Sequence, residues 1–291
     1  MSRVFLPLIL AVLSLFSLAA AQSVTFSQVA STSAFPSREY AACTQSPAAT
    51  NSTPTIYFFG GFSVTLNATA STTSNSYYDT YFNDAWSSTN FGTSWNLLTG
   101  AAAFRAQAWN GAVYTKSGSI VYIGGGGDVN AAENNEVWLS TDGVTFTATT
   151  AGPWDPRENA GIAGQLGTDN ILVALGNTRN DNNVDDIWLS TNAGSSWKQT
   201  CHYTSCPFVT TVSTADTAGQ VHGPTAAGLS TGQWLLMGGF GNYNTSAAVS
   251  WVTNQVAVST NGFSTWTTYA SPWSPRAQQR AVVDADNFVY V

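Results

Sequence analysis

Charge is scarce in this 291-residue chain: Asp, Glu, Lys and Arg together make up 9% of it. Nine Lys and Arg against sixteen Asp and Glu leave a net charge of −7, so a nucleic-acid partner is excluded for want of a basic surface. Strong helix formers are few beside 25 Gly and plentiful Ser, Thr and Asn, which argues against a helical bundle and for strands joined by turns. Long apolar runs are missing once Val4 to Leu18 is passed, so no membrane span is expected in the mature chain. Only two histidines occur, His202 and His222, both on one long connection. Neither a zinc spacing, a phosphate loop nor a nucleophile elbow is found. No metal, cofactor or catalytic residue is therefore expected. What the chain does have is a 44% apolar and 13% aromatic content, enough to bury a substantial core.

The N-terminus reads as a processing signal. Arg3 precedes the apolar run, and Ala19-Ala20-Ala21 supplies a small-residue cleavage pattern before Gln22. Residues 1–21 are thus expected to be removed, leaving eight basic against sixteen acidic residues and a secreted, extracellular protein. Three sequons, at Asn51, Asn67 and Asn244, fit that route as glycosylation sites. In an oxidising compartment Cys201 and Cys206 could close a small disulfide loop, which leaves Cys43 without a partner.

An internal repeat dominates the rest. One unit runs Pro36-Ser37-Arg38, an apolar run ending in Gly60-Gly61, Asn83-Asp84-Ala85-Trp86, then Ser88 to Trp95. The next has Phe104-Arg105, Gly124-Gly125, Asn135-Glu136-Val137-Trp138 and Ser140 to Phe146. The third has Pro156-Arg157, Ile171 to Gly176, Asp185-Asp186-Ile187-Trp188 and Ser190 to Trp197. The fourth has Gly223-Pro224, Gly238-Gly239, Asn254-Gln255-Val256-Ala257 and Ser259 to Trp266, and a fifth starts at Pro275-Arg276. Each unit holds four short strand-like runs; in the second these are about Ala106–Tyr114, Ile120–Ile123, Glu136–Ser140 and Thr145–Thr149. A spacing of about 50 to 70 residues suits blades of four antiparallel strands. A lone blade cannot bury both faces, so blades must stack, with Trp86, Trp138 and Trp188 filling the space between sheets. The expected fold is an all-β propeller over residues 36–291, with four complete repeats and part of a fifth. Residues 22–35 form an N-terminal segment whose Val24-Thr25-Phe26-Ser27 is a possible ring-closing strand.

The double glycine after an apolar strand, followed by a polar loop and an Asn/Asp-acidic-x-Trp strand, resembles the kelch repeat of galactose-oxidase-like propellers. The turns Ser88-x-Asn90-x-Gly92-x-x-Trp95 and Ser190-x-Asn192-x-Gly194-x-x-Trp197 resemble the Asp-box of sialidases. Ser140 to Phe146 is a shorter version, and in Ser259 to Trp266 the glycine is displaced by one position. These boxes are read as hairpin devices, with Asn or Asp bonding turn amides and Gly supplying a positive φ. The kelch resemblance implies a ring of about six or seven blades, so an incomplete ring from a truncated product or gene model is expected. A five-bladed ring with one three-stranded blade is the alternative.

Arg38, Arg105, Arg157 and Arg276 are read as equivalent positions at the start of the innermost strand. Facing the central channel, they would form a cationic ring for an anionic ligand; turned inward, they would tie each blade to itself or its neighbour. The connections of variable length lie on this same face, including Phe62–Phe82 and Lys198–His222, and a ligand is expected there. Asn180 to Asp186 is rich in oxygen ligands but lacks an EF-hand pattern and reads as a solvated turn. Galactose-oxidase-like copper chemistry would need histidines from distant blades. Sialidase-like chemistry would set Tyr40 beside Glu39 and Arg38, yet the usual Arg-Ile-Pro sequence is absent. The expected function is a non-catalytic recognition module for extracellular glycans or proteins. A secreted glycoside hydrolase or oxidase with residues beyond Val291, and a structural wall or matrix protein, are the alternatives.

Overall fold

The computed structural model describes residues 27–30, 33–48, 53–66, 77–127, 132–178, 184–201, 206, 221–241 and 252–291. Met1–Thr32 and Ser33–Val291 form separate units, and the described architecture belongs to the second. The expected signal segment 1–21, the strand-like Val24-Thr25-Phe26 and the sequon asparagines Asn51, Asn67 and Asn244 lie outside the described residues.

Every described regular element is a strand. The first blade comprises β1 (Ala42–Gln45), β2 (Ile56–Phe59), a side hairpin of β3 (Phe62–Leu66) and β4 (Tyr77–Tyr81), then β5 (Ala85–Ser88) and β6 (Asn96–Thr99). The second has β7 (Gly111–Tyr114), β8 (Ile120–Gly125), β9 (Asn134–Ser140) and β10 (Thr147–Ala148). The third has β11 (Gly161–Gly164), β12 (Ile171–Ala174), β13 (Ile187–Ser190) and β14 (Lys198–Cys201). After β15 (Val221–His222) the fourth blade follows with β16 (Thr225–Gly228), β17 (Trp234–Met237), β18 (Phe240–Gly241), β19 (Gln255–Ser259) and β20 (Thr267–Ala270). The fifth repeat contributes β21 (Val282–Val283) and β22 (Val289–Tyr290).

Four four-stranded antiparallel sheets result, ordered β1-β2-β5-β6, β7-β8-β9-β10, β11-β12-β13-β14 and β16-β17-β19-β20, with β3-β4, β15-β18 and β21-β22 as two-stranded pairs. The architecture is that of a β-propeller. Two details differ from the sequence reading. The Phe62–Phe82 connection contains the β3–β4 hairpin, with Phe62 opposite Tyr81. The first strand of the second blade begins at Gly111 rather than Ala106, because Trp109 takes φ 54° and interrupts the extended backbone.

First strands of successive repeats lie side by side: β1 with β7, β7 with β11, β11 with β16, and β16 with β21. This convergence explains their small residues. A Cβ on Gly111 would meet three Ile162 side-chain carbons at 2.7–2.8 Å. Farther out, large side chains fill the widening space. Phe59, Phe104, Ile120, Tyr122 and Phe146 join the first blade to the second, and Val121, Ile123, Val137, Ile171 and Val173 join the second to the third. Trp138 and Trp188 pack against these two clusters.

The hairpin turns are built as the sequence suggests. The Asn90 carboxamide oxygen accepts from Ser88 Oγ and Ser94 N, both at 2.9 Å, while Ser88 Oγ accepts from Gly92 N at 2.9 Å. Asn192, Ser190 and Gly194 repeat the pattern. In the fourth blade Phe263 occupies the site of Gly92, with φ 72°, its N–H donating to Ser259 Oγ at 3.0 Å. Its ring is buried against Trp234 and Trp266, which offsets the backbone strain.

Candidate functional site

Backbone pairing sets the true register of the repeats. Glu39 bridges Phe62, Ala108 bridges Gly126, Glu158 bridges Asn177, and His222 pairs with Phe240. Arg38, Gln107, Arg157, Val221 and Arg276 are therefore equivalent. Arg105 is a correction to the sequence reading, since it stands two residues before the equivalent position. Gln107 fills that position and donates to Gly124 O at 2.7 Å, as Arg38 donates to Gly60 O at 3.0 Å.

The arginines do not gather into a ring. Arg38 is clamped by Asp84 through two bonds of 2.5 and 2.9 Å, its side chain 1% exposed. Trp86 Nε1 donates to the same carboxylate at 2.7 Å. Arg157 is held by Asp186 in the same two-pronged way, with Trp188 Nε1 on Asp186 at 2.9 Å. Arg105, more exposed, pairs with Glu136, which also accepts from Trp138 Nε1 at 3.1 Å. Each of these charges is neutralised inside its own blade. Arg276 places its Nε on Ser274 O at 3.1 Å, as Arg38 does on Pro36 O, and has no carboxylate among the described residues. The geometry is that of blade ties rather than an anion-facing ring.

What does converge on the axis is the residue two places after each of those positions. Tyr40, Trp109, Asn159, Gly223 and Gln278 all have left-handed backbones, with φ between 54° and 63°. Their backbones bond one repeat to the next: Trp109 N to Tyr40 O at 3.1 Å, Gly223 N to Asn159 O at 2.8 Å, and Gln278 N to Gly223 O at 2.8 Å. Side chains then span the axis. Tyr40 OH donates to Gln278 Oε1 at 2.9 Å, and Gln278 Nε2 donates to Asn159 Oδ1 at 3.2 Å. Asn159 Nδ2 reaches Glu158 Oε1 and Asn177 Oδ1, both at 3.3 Å. On the other flank Tyr40 stacks on Phe62 and packs at a tilt against Trp109, at centroid distances of 5.9 and 5.3 Å, and Tyr81 lies 5.4 Å from Phe62. Tyr40, Trp109, Asn159 and Gln278 are all half-buried, open enough to reach a ligand.

Sequence reasoning missed this cluster. The recoverable signal was the triplets Arg38-Glu39-Tyr40, Arg157-Glu158-Asn159 and Arg276-Ala277-Gln278. Aligning Arg105 with them hid Trp109.

Cys201 and Cys206 form a disulfide, and both are buried in the core between the third and fourth blades. Cys43 is a free thiol on β1. Its side of the strand is exposed, and the Arg280 guanidinium lies nearby. Burial raises Tyr122 well above the ordinary phenol range. No group of three or more His, Cys, Asp or Glu suited to a metal occurs among the described residues. His202 and residues 179–183 of the oxygen-rich loop lie outside them. No helix among the described residues is long and apolar enough to cross a membrane.

No protein-family model matches the chain, and no curated protein does. Among solved structures, "Structure of YjhT" aligns with a TM-score of 0.60 and 16% identity, covering 86% of this chain and 75% of that one. At that identity the likeness speaks for the fold, and it agrees with the blade topology: this chain is a β-propeller.

Proposed function

We propose that this chain is a secreted, kelch-type β-propeller that recognises an extracellular glycan or protein at the axial mouth formed by Tyr40, Trp109, Asn159 and Gln278. The observation that carries the reading is the joining of an aromatic cluster to a row of half-buried amides, contributed by four repeats at one equivalent position. Aromatic faces with adjacent hydrogen-bonding groups suit the mixed apolar and polar surface of such ligands. The cleavage-type leader and the buried disulfide support the extracellular setting. Binding of the secreted protein to an immobilised panel of extracellular glycans and matrix proteins tests it. Trp109→Ala is expected to abolish retention while leaving the melting temperature within a few degrees. Turnover of a fluorogenic sialoside that disappears on changing Tyr40 or Arg38 would overturn the non-catalytic reading in favour of a hydrolase.

A further inference from the structure

We infer that the axial mouth selects an uncharged, hydroxyl-rich carbohydrate, and that Gln278 is the contact that sets this selectivity. The inference rests on the mouth being the ligand site and adds the ligand's chemical class.

Three observations lead there. The cations sequence reasoning assigned to this face are largely spent: Arg38 and Arg157 are enclosed with Asp84 and Asp186, and Arg105 is paired with Glu136. An acidic ligand would have to compete with carboxylates already in two-pronged contact inside a blade. Secondly, the groups spanning the axis are neutral and can both donate and accept: the Tyr40 hydroxyl and the carboxamides of Gln278 and Asn159. The charge bonded to this chain is negative, Glu158 Oε1 lying 3.3 Å from Asn159 Nδ2. A sugar hydroxyl can donate to one of these groups and accept from the next. Thirdly, the neighbouring Tyr40 and Trp109 rings, tilted by 34° to each other, adjoin the amides, so the C–H face of a pyranose can rest on the aromatic side while its hydroxyls reach the amide side.

Gln278 is singled out by its place. It bonds Tyr40 with its oxygen and Asn159 with its nitrogen, and its Cγ lies 3.1 Å from where a Cβ on Gly223 would stand. The missing side chain at Gly223 is what lets Gln278 lie across the axis. A carboxamide presents one acceptor and one donor side by side, a fit for paired hydroxyls. The remaining cations of the fifth repeat, Arg276 and Arg280, stand outside the Tyr40–Gln278–Asn159 row of hydrogen bonds among the described residues: Arg276 Nε is held by Ser274 O, and Arg280 lies near Tyr40 and Cys43. They provide the competing outcome.

The test is ligand-observed NMR and calorimetry on the intact secreted protein, with cellobiose, lactose and methyl β-galactoside as neutral probes and glucuronate and N-acetylneuraminate as acidic ones. Neutral probes are expected to bind and acidic ones of similar size to bind at least about tenfold more weakly, the loss of one or more hydrogen bonds. Gln278→Ala should weaken the neutral probe about tenfold or more, Tyr40→Phe less, and Arg280→Gln not at all. Circular dichroism melts confirm that each variant is folded. Preferential binding of the acidic probes, removed by Arg280→Gln or Arg276→Gln, overturns the inference, as does the failure of every saccharide to bind. If Trp109→Ala abolishes neutral-sugar binding but Gln278→Ala does not, the mouth stands as the site and the role of Gln278 falls. If neither variant alters binding to a glycan that the protein retains, the mouth itself is the wrong site.

Discussion

The third and fourth blades share topology and the register of their inner three strands yet solve the same internal problem in opposite ways. In the third, Arg157 and Asp186 form a buried ion pair and Trp188 donates to the same carboxylate. In the fourth, the corresponding residues are Val221, Gln255 and Ala257, and Val221 is fully buried in the core shared with the third blade. Charge, counter-charge and indole are replaced together. The physical reason is the asymmetry of burial: a buried pair is roughly interchangeable with apolar packing, while half a pair leaves an uncompensated charge. The second blade lies between them. Its arginine is displaced to the more exposed position 105 and still pairs with Glu136, while Gln107 and Asn134 join through a 2.6 Å amide bond underneath. Across the first four blades, arginine, acid and tryptophan therefore behave as one module that is carried or lacking as a whole.

That comparison can be broken most forcefully from the third blade. Asp186→Ala strands Arg157 and is expected to cost about 3–5 kcal/mol, whereas Gln255→Ala in the fourth blade should cost less than about 1 kcal/mol; urea unfolding measures both. Converting the third blade to the fourth-blade solution, Arg157→Val with Asp186→Gln, should recover most of the loss. If the double variant is as unstable as the single, the blades are not alternative solutions of one problem.

Next in size, Gly111→Ala drives a methyl into Ile162 at the narrow inner seam and should cost about 1–3 kcal/mol. The same change at Gly167, a turn where a Cβ would meet nothing within 4 Å, tests strain alone at φ 74°. Its cost should be smaller, about 1 kcal/mol. Equal losses would show that blade proximity is not what demands glycine on the inner strands.

Joint replacement of Cys201 and Cys206 by Ala opens a loop of five-residue separation beside the same third–fourth blade core. Loop-closure entropy puts the loss at about 2 kcal/mol, read as a lowered melting temperature in the intact protein without reductant. No change on removing it would mean the buried apolar contacts alone hold that corner.

The smallest effect concerns the turns. Asp142 serves the second blade where Asn90, Asn192 and Asn261 serve the others. The amides of Thr145 and Val144 donate to its carboxylate at 2.8 Å and hold its pKa below the ordinary value. A carboxyl depressed on folding adds stability above its unfolded pKa and loses it as the pH falls through the folded value. Asp142→Asn should therefore slightly flatten the acid side of the stability curve, as Tm against pH below about pH 4 would show. The residue is exposed, so solvent screening keeps the effect small.

Much of the fold was legible because the repeat is written in local chemistry. The double glycines sit where a positive φ is needed after the second strand, and at Leu175 the third blade uses a buried leucine with φ 60° in the first glycine's place. The Ser-x-Asn turns bond within five residues, so their spacing alone announces them. The site was far less legible. Arg105 looked equivalent to Arg38 and Arg157 because a two-residue offset leaves the surrounding pattern intact; only the Ala108–Gly126 bridge exposes it. Tyr40 and Gln278 are 238 residues apart, and nothing in either repeat's local pattern marks their contact.

By itself the sequence determined the all-β composition, the repeat, the hairpin turns and the small disulfide, because each depends on residues near one another along the chain. Tertiary structure decided which charges are spent and which polar groups meet at the axis. Ion pairing depends on which carboxylate faces a guanidinium once a blade has folded, and the axial cluster exists only where first strands from successive repeats are brought side by side.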